Sequence, residues 1–210
     1  MADQTTLIIL GASGDLTSRL LLPALAQLLA REPERKVRLQ GAGIDDWDDD
    51  RWRQTVRSSF EEAGFTKAFD AVADTTYTHA DITDAEDLAR LLAGHTGRVA
   101  LYFAVPPAVA KAACEALADV EIPEGTILAL EKPFGVDQAS AHELNTTLAK
   151  LVPEEQVFRI DHFLGRSTTL NLLGVRFANR VFAPVWRAQD IASVVIRYDE
   201  TLGLEGQDRE

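Results

Sequence analysis

Three features of the 210-residue sequence predict an α/β fold: a doubly wound parallel sheet followed by the start of a second domain. Short, near-continuous apolar runs alternate with amphipathic segments of helical period along most of the chain. Strands that are apolar at nearly every position are buried on both faces, and right-handed crossovers put the intervening helices there. The first apolar run ends at two glycines that lead into a helix pattern, as at the first strand-to-helix turn of such a sheet. After residue 165 the alternation stops, and a long helical segment precedes one isolated apolar strand.

Taken in order, "TTLIIL" (5–10) is a β-branched strand, and "TSRLLLPALAQLLA" (17–30) is a helix. "VRLQGAG" (37–43) is the second strand and "DDDRWRQTVRSSFEEAG" (48–64) an amphipathic helix. "TYTHA" (76–80) is a short strand before the helix "DAEDLARLLAG" (84–94). The clearest buried strands, "RVALYFAV" (98–105) and "GTILALE" (125–131), flank the helix "PAVAKAACEALAD" (107–119). "DQASAHELNTTLAKL" (137–151) is another helix, leading into the strand "QVFRI" (156–160). These elements give a Rossmann-like domain over residues 1–165. Beyond it lie a helix, "RSTTLNLLGVRFANRVF" (166–182), and a strand in "DIASVVIRYDETLGLEG" (190–206) with no later partner. A lone apolar strand leaves its backbone groups unpaired. Residues 166–210 therefore read as the beginning of an incomplete second domain, or else the strand adds to the first sheet as an antiparallel edge.

The composition, 46% hydrophobic and 26% charged, is ordinary for a soluble globular protein. A formal net charge of −12 argues against a nucleic-acid partner, because phosphate binding needs clustered Lys and Arg. The single cysteine, Cys114, forms no internal disulfide, and no Cys/His cluster suggests a metal. The aspartates of "DDWDDD" (45–50) lack the glycine and terminal glutamate of a calcium loop and read as a solvated helix start. No basic segment precedes the first apolar run, so no signal peptide is expected. The apolar stretches are shorter than the ~20 residues that span a bilayer, and a cytoplasmic location is the expectation.

Two places carry chemistry. In "LIILGASGDLTSRLLLPAL", Gly11 and Gly14 let the backbone approach a pyrophosphate, and the following helix offers free amides to it. Thr17 or Asp15 is placed to cap that helix. The spacing is GxxG rather than GxGxxG, so glycines required only by a tight turn are the alternative. In "RIDHFLG", Asp161 and His162 stand at a seam between strand and helix. They form either part of a reaction site or a helix cap beside a solvated imidazole. His79, His95 and His142 read as surface residues, and Trp47, Trp52 and Trp186 as packing.

"GASGDL", "FAVPP", "EKPFG", "RIDHFLG" and "RFANRVFAPVW" occur in this order, and together they resemble the glucose-6-phosphate dehydrogenase family across essentially the whole chain. The resemblance implies hydride transfer from C1 of glucose 6-phosphate to NADP or NAD, giving 6-phosphogluconolactone in the pentose phosphate pathway. It implies that residues 166–210 open an α+β substrate and dimerisation domain, and that the chain is a homo-oligomer once that domain is complete. Gly11, Ser13, Gly14, Asp15 and Leu16 match the dinucleotide turn, and Val105 and Pro106 match the stretch beside the cofactor. Lys132 matches a lysine between cofactor and sugar, and its bond to Pro133 is expected to be cis. His162 matches a sugar-phosphate ligand, Asp161 the carboxylate that orients the catalytic histidine, and Glu200 a ligand of sugar hydroxyls.

The sequence departs from the family pattern at three points. Arg166 and Ser167 stand where Lys and then Glu are usual, and Arg166 offers a bidentate phosphate contact of different reach. The family's catalytic histidine belongs to a "QNH" segment that does not occur in these 210 residues, so little or no dehydrogenase activity is expected of them alone. Ile44, followed by Asp45 and Asp46, stands where an arginine usually meets the 2′-phosphate of NADP, the family's usual cofactor; this favours NAD, with rescue of NADP binding by Arg19 or Arg51 the alternative. The alternatives are a catalytically silent nucleotide-binding or interaction protein, and a different sugar oxidoreductase with a similar "EKP" lysine.

Overall fold

Each apolar run expected as a strand within residues 1–165 is one. The computed structural model describes residues 4–95 and 97–197, with the side chain of His162 outside that description. Strands β1 (Thr5–Leu10), β2 (Val37–Gly43), β3 (Thr76–His79), β4 (Arg98–Phe103), β5 (Ile127–Glu131) and β6 (Val157–Ile160) alternate with helices. The helices are α1 (Leu22–Arg31), α2 (Asp49–Glu62), α3 (Ala85–Leu92), α4 (Pro107–Ala116) and α5 (Gln138–Leu151). All five strand pairings are parallel, in the order β3-β2-β1-β4-β5-β6. The chain therefore reverses its winding between β1 and β4, the switch point at which such sheets bind ligands.

The apolar runs are continuous because both faces of the sheet are covered. Ile8 and Leu10 of β1, with Val99, Leu101 and Phe103 of β4, pack into one core with Leu88 of α3, Cys114 of α4 and Leu148 of α5. Ile9 points the other way, into a second core with Leu22 and Leu25 of α1 and Trp52, Val56 and Phe60 of α2. Cys114 is fully buried, and burial pushes its thiol pKa up to about 12. Acidic side chains start three of the helices. Asp48 accepts from the Arg51 amide at 2.7 Å, Asp84 from the amides of Glu86 and Asp87, and Asp137 forms a capping box with Ser140. The aspartates of 45–50 thus include a helix cap, and Asp49 accepts from the Tyr77 amide at 2.7 Å.

Three expectations change. Thr17 does not cap the first helix; it is buried, and its hydroxyl turns back to the Gly11 carbonyl at 3.2 Å. A π-helical turn, Thr17–Leu21, runs straight into α1. The strand expected from residue 190 is not formed among the described residues. Val194, Val195 and Ile196 are exposed and outside any strand, and Tyr198 onward lies outside the description. A strand needs a ladder partner and a buried face, and residues 194–196 have neither among the described residues. Thr66–Val72, left unassigned by periodicity, is a 3₁₀ helix whose Phe69 and Val72 enter the second core.

The chain divides into two units, Met1–Asp161 and His162–Glu210. The second holds α6 (Ser167–Ala178), shorter than the expected helix because Asn179 leaves helical geometry. No described residue of α6 is buried, and Leu170, Leu172, Leu173 and Phe177 are exposed. No helix among the described residues is long and apolar enough to cross a membrane.

Candidate active site

Where β1 ends, Gly11 has φ +84°, and its amide and that of Ala12 donate to the Ala42 carbonyl beside it in β2. A Cβ on Gly11 would lie 2.5 Å from both the Ala104 carbonyl oxygen and Val105 Cγ1. The glycine therefore answers both a left-handed backbone and the close approach of the chain leaving β4. The Gly14 amide donates to the Gly11 carbonyl at 3.1 Å, closing the turn, and Asp15 and Leu16 begin the helix that follows. Pro106 precedes α4 directly. Turn, helix start and "FAVPP" stretch thus meet at the switch point.

The Ser13 hydroxyl donates to the Asp45 carboxylate, joining this turn to the loop after β2. In that loop Ile44 is 70% exposed, and Asp45 and Asp46 are exposed beside it. The Arg51 guanidinium lies 4.4 Å over the Trp47 ring. Arg19 and Arg51 line a cleft of about 520 Å³ between the π-helical turn and α2.

At the same end of the sheet, Lys132 follows β5 and Asp161 follows β6. The Lys132 amide donates to the Ile160 carbonyl at 3.1 Å, and its ammonium lies 2.8 Å from Asp161 Oδ1. Both side chains are partly exposed, at 35% and 27%. The bond from Lys132 to Pro133 is cis, as the resemblance implies. Asp161 is therefore engaged by a lysine from the adjacent strand end.

The remaining residues divide by unit. The His162 backbone opens a 3₁₀ turn, His162–Gly165, and its side chain lies outside the described residues. The Arg166 guanidinium sits 4.8 Å over the Phe163 ring, within the second unit. Glu200 lies outside the described residues.

Two tyrosines went unnoticed in the sequence. Tyr102 of β4 donates its hydroxyl to Glu131, the residue before Lys132, at 2.5 Å. Burial first, then the hydrogen bond and charge of Glu131, push this phenol well above the usual range, so it stays a donor. The signal was parity: Tyr102 pairs with Ala129, and Glu131, two residues on, shares that face. Tyr77 of β3 reaches across bare Gly43 to the Asp45 carbonyl, to which its hydroxyl donates at 3.2 Å.

Sheet order and turn geometry are those of a dinucleotide-binding domain of the Rossmann-like class. Residues 8–171 match the family described as "Glucose-6-phosphate dehydrogenase, NAD binding domain". A glucose-6-phosphate 1-dehydrogenase of Dickeya dadantii is 36% identical, over 98% of this chain and 44% of that protein. A crystal structure of glucose-6-phosphate 1-dehydrogenase from Mycobacterium avium superposes with TM-score 0.74 at 31% identity, over 90% of this chain and 43% of that one. A glucose-6-phosphate dehydrogenase solved in complex with glucose 6-phosphate gives TM-score 0.72 at 28% identity, over 88% and 42%. The chain belongs to the glucose-6-phosphate dehydrogenase family. It spans less than half the length of these relatives.

Proposed function

We propose that this chain forms the nucleotide-binding part of a cytoplasmic dehydrogenase that oxidises glucose 6-phosphate at C1 to 6-phosphogluconolactone, a pentose phosphate pathway step. The observation that carries the reading is the Lys132–Asp161 pair, 2.8 Å apart, at the strand ends where the glycine turn also lies. The dinucleotide fits this chain's residues. Gly11 and Gly14 leave the turn bare at those two positions, and Val105, followed by Pro106, lies against Gly11. When bound, the nicotinamide accepts the hydride. Lys132 donates hydrogen bonds to sugar oxygens from its ammonium. Asp161 orients the histidine that takes the C1 hydroxyl proton and balances the charge that the histidine gains. His162 and Arg166 bind the sugar phosphate and Glu200 the sugar hydroxyls, and residues 166–210 open a substrate domain that joins copies of the complete protein.

The cofactor preference leans to NAD. A 2′-phosphate needs a cation at the end of β2, where this chain offers Ile44 and then two carboxylates. Asp45 accepts hydrogen bonds from free ribose hydroxyls instead. Each lost or repulsive contact is worth about 1–3 kcal/mol, which shifts selectivity roughly ten- to a hundredfold. Calorimetric titration of NAD, NADP and glucose 6-phosphate into the chain, with Lys132→Ala beside it, tests the reading. NAD binding, and sugar-phosphate binding weakened by the variant, are expected. Failure to bind either nucleotide refutes the dehydrogenase reading, and NADP binding tenfold tighter than NAD refutes the preference.

A further inference from the structure

We propose that Tyr77 is a positioning residue for the adenosine end of the cofactor site: its hydroxyl fixes the main chain at Asp45, and so the direction in which that carboxylate meets the ribose. This rests on the cofactor reading above.

The arrangement depends on two glycines in β2. Gly41 pairs with Tyr77 and Gly43 with His79 in the parallel ladder. A Cβ on Gly41 would come within 2.9 Å of both Ala12 Cβ and the Trp52 indole, and one on Gly43 within 3.0 Å of the Tyr77 hydroxyl. This side of the strand end is bare backbone, and aromatic rings from α2 and β3 fill it. The Tyr77 ring stands 5.8 Å from the Trp47 ring and 6.2 Å from the Trp52 ring. Its amide is held by Asp49 at 2.7 Å. Ring and backbone are thus fixed before the hydroxyl makes any contact.

The hydroxyl then donates to the Asp45 carbonyl at 3.2 Å, while the Ser13 hydroxyl takes the same residue's carboxylate. On the far side of the loop, the His79 ring nitrogen Nε2 lies 3.0 Å from the Ile44 carbonyl. Asp45 is exposed, yet its main chain and side chain are each anchored. Burial, and next the Asp45 charge, raise the Tyr77 pKa, so the phenol remains a donor. A loop held this way presents its carboxylate without reordering when a ribose arrives.

Tyr77→Phe keeps the ring and removes only the hydroxyl. NAD, ADP-ribose and NADP are titrated into the chain and this variant, and again in an Asp45→Ala background. The variant is expected to weaken NAD and ADP-ribose roughly five- to twentyfold and NADP less than about twofold, the size of one hydrogen bond governing a charged contact. Once Asp45 is alanine, Tyr77→Phe is expected to change NAD affinity less than about twofold, because the carboxylate it positions is gone. Unchanged NAD affinity, equal loss of NAD and NADP, or losses that add across the two sites overturn the positioning role alone. A parent chain that binds no dinucleotide overturns the cofactor reading and this inference with it.

Discussion

Replacing Gly11 by alanine tests how tightly the turn is built. With φ at +84°, a side chain there meets the left-handed penalty, roughly 1–2 kcal/mol. The new Cβ also lies 2.5 Å from two atoms of unequal compliance. Val105 Cγ1 can rotate away. The Ala104 carbonyl cannot, because Ala104 is tied to the end of β1 through its amide, which donates to the Leu10 carbonyl at 2.8 Å. Displacing packed backbone adds about 1–3 kcal/mol, for a total of about 2–5 kcal/mol, a large part of a domain's usual stability. Gly64 supplies the control, since it has φ +81° and nothing within 4 Å of the position a Cβ would take. Gly64→Ala should therefore show the backbone penalty alone, and the difference between the variants isolates the steric part. Equilibrium urea unfolding, followed by tryptophan fluorescence and far-ultraviolet circular dichroism, measures both. If Gly11→Ala is no less stable than Gly64→Ala, within about 0.5 kcal/mol, the turn is not packed against the chain leaving β4 and the reasoning fails.

Ile44→Arg combined with Asp45→Ala should raise NADP affinity at least roughly tenfold over NAD relative to the parent, measured by titration; an unchanged ratio places the discrimination elsewhere. Asp84→Ala removes the side chain that accepts from two amides at the start of α3 and should cost about 1 kcal/mol in urea unfolding, with Asp84→Ser recovering most of it. The imidazole of His95 is held below its ordinary range mainly by burial, against the pull of a hydrogen bond to the Leu91 carbonyl. Its unfolded form thus binds a proton more readily. The contribution is full above the ordinary histidine value of about 6.5 and is lost as pH falls from there through the lower folded value. Melting temperatures of the parent and His95→Gln should converge or cross as pH falls through that window, and parallel profiles exclude this linkage.

The first domain was legible because burial on both sheet faces demands uninterrupted apolar runs, and few other structures do. β1 shows it: Ile8 and Leu10 enter one core while Ile9 enters the other. Motif order carried the placement of Gly11, Val105, Lys132 and Asp161, since each follows a strand whose position the topology fixes. Contacts that cross the sheet were illegible. No local pattern ties Ser13 to Asp45, or Tyr77 to a loop 32 residues earlier, because strand register decides them. Among the described residues the strand expected from residue 190 is not formed, for a related reason: β propensity describes a fit to a pleated neighbour, and propensity does not supply that neighbour. The missed 3₁₀ segment, Thr66–Val72, is too short for periodicity to register.

The burial of Cys114 gives the chain a chemical clock. Thiol reagents attack the thiolate, and a pKa pushed up to about 12 leaves that form scarce near neutral pH, roughly three powers of ten below an ordinary cysteine. The sulfur is also enclosed between α4 and the sheet, at zero exposure, so a reagent meets it only when that core opens. The chain has one cysteine, so each labelling event reports one place and carries no disulfide side reaction within the molecule. The rate of modification therefore counts openings of the β1–β4–β5 core directly, with every other residue silent, and a nucleotide seated at the far end of those strands should slow it in proportion to its occupancy.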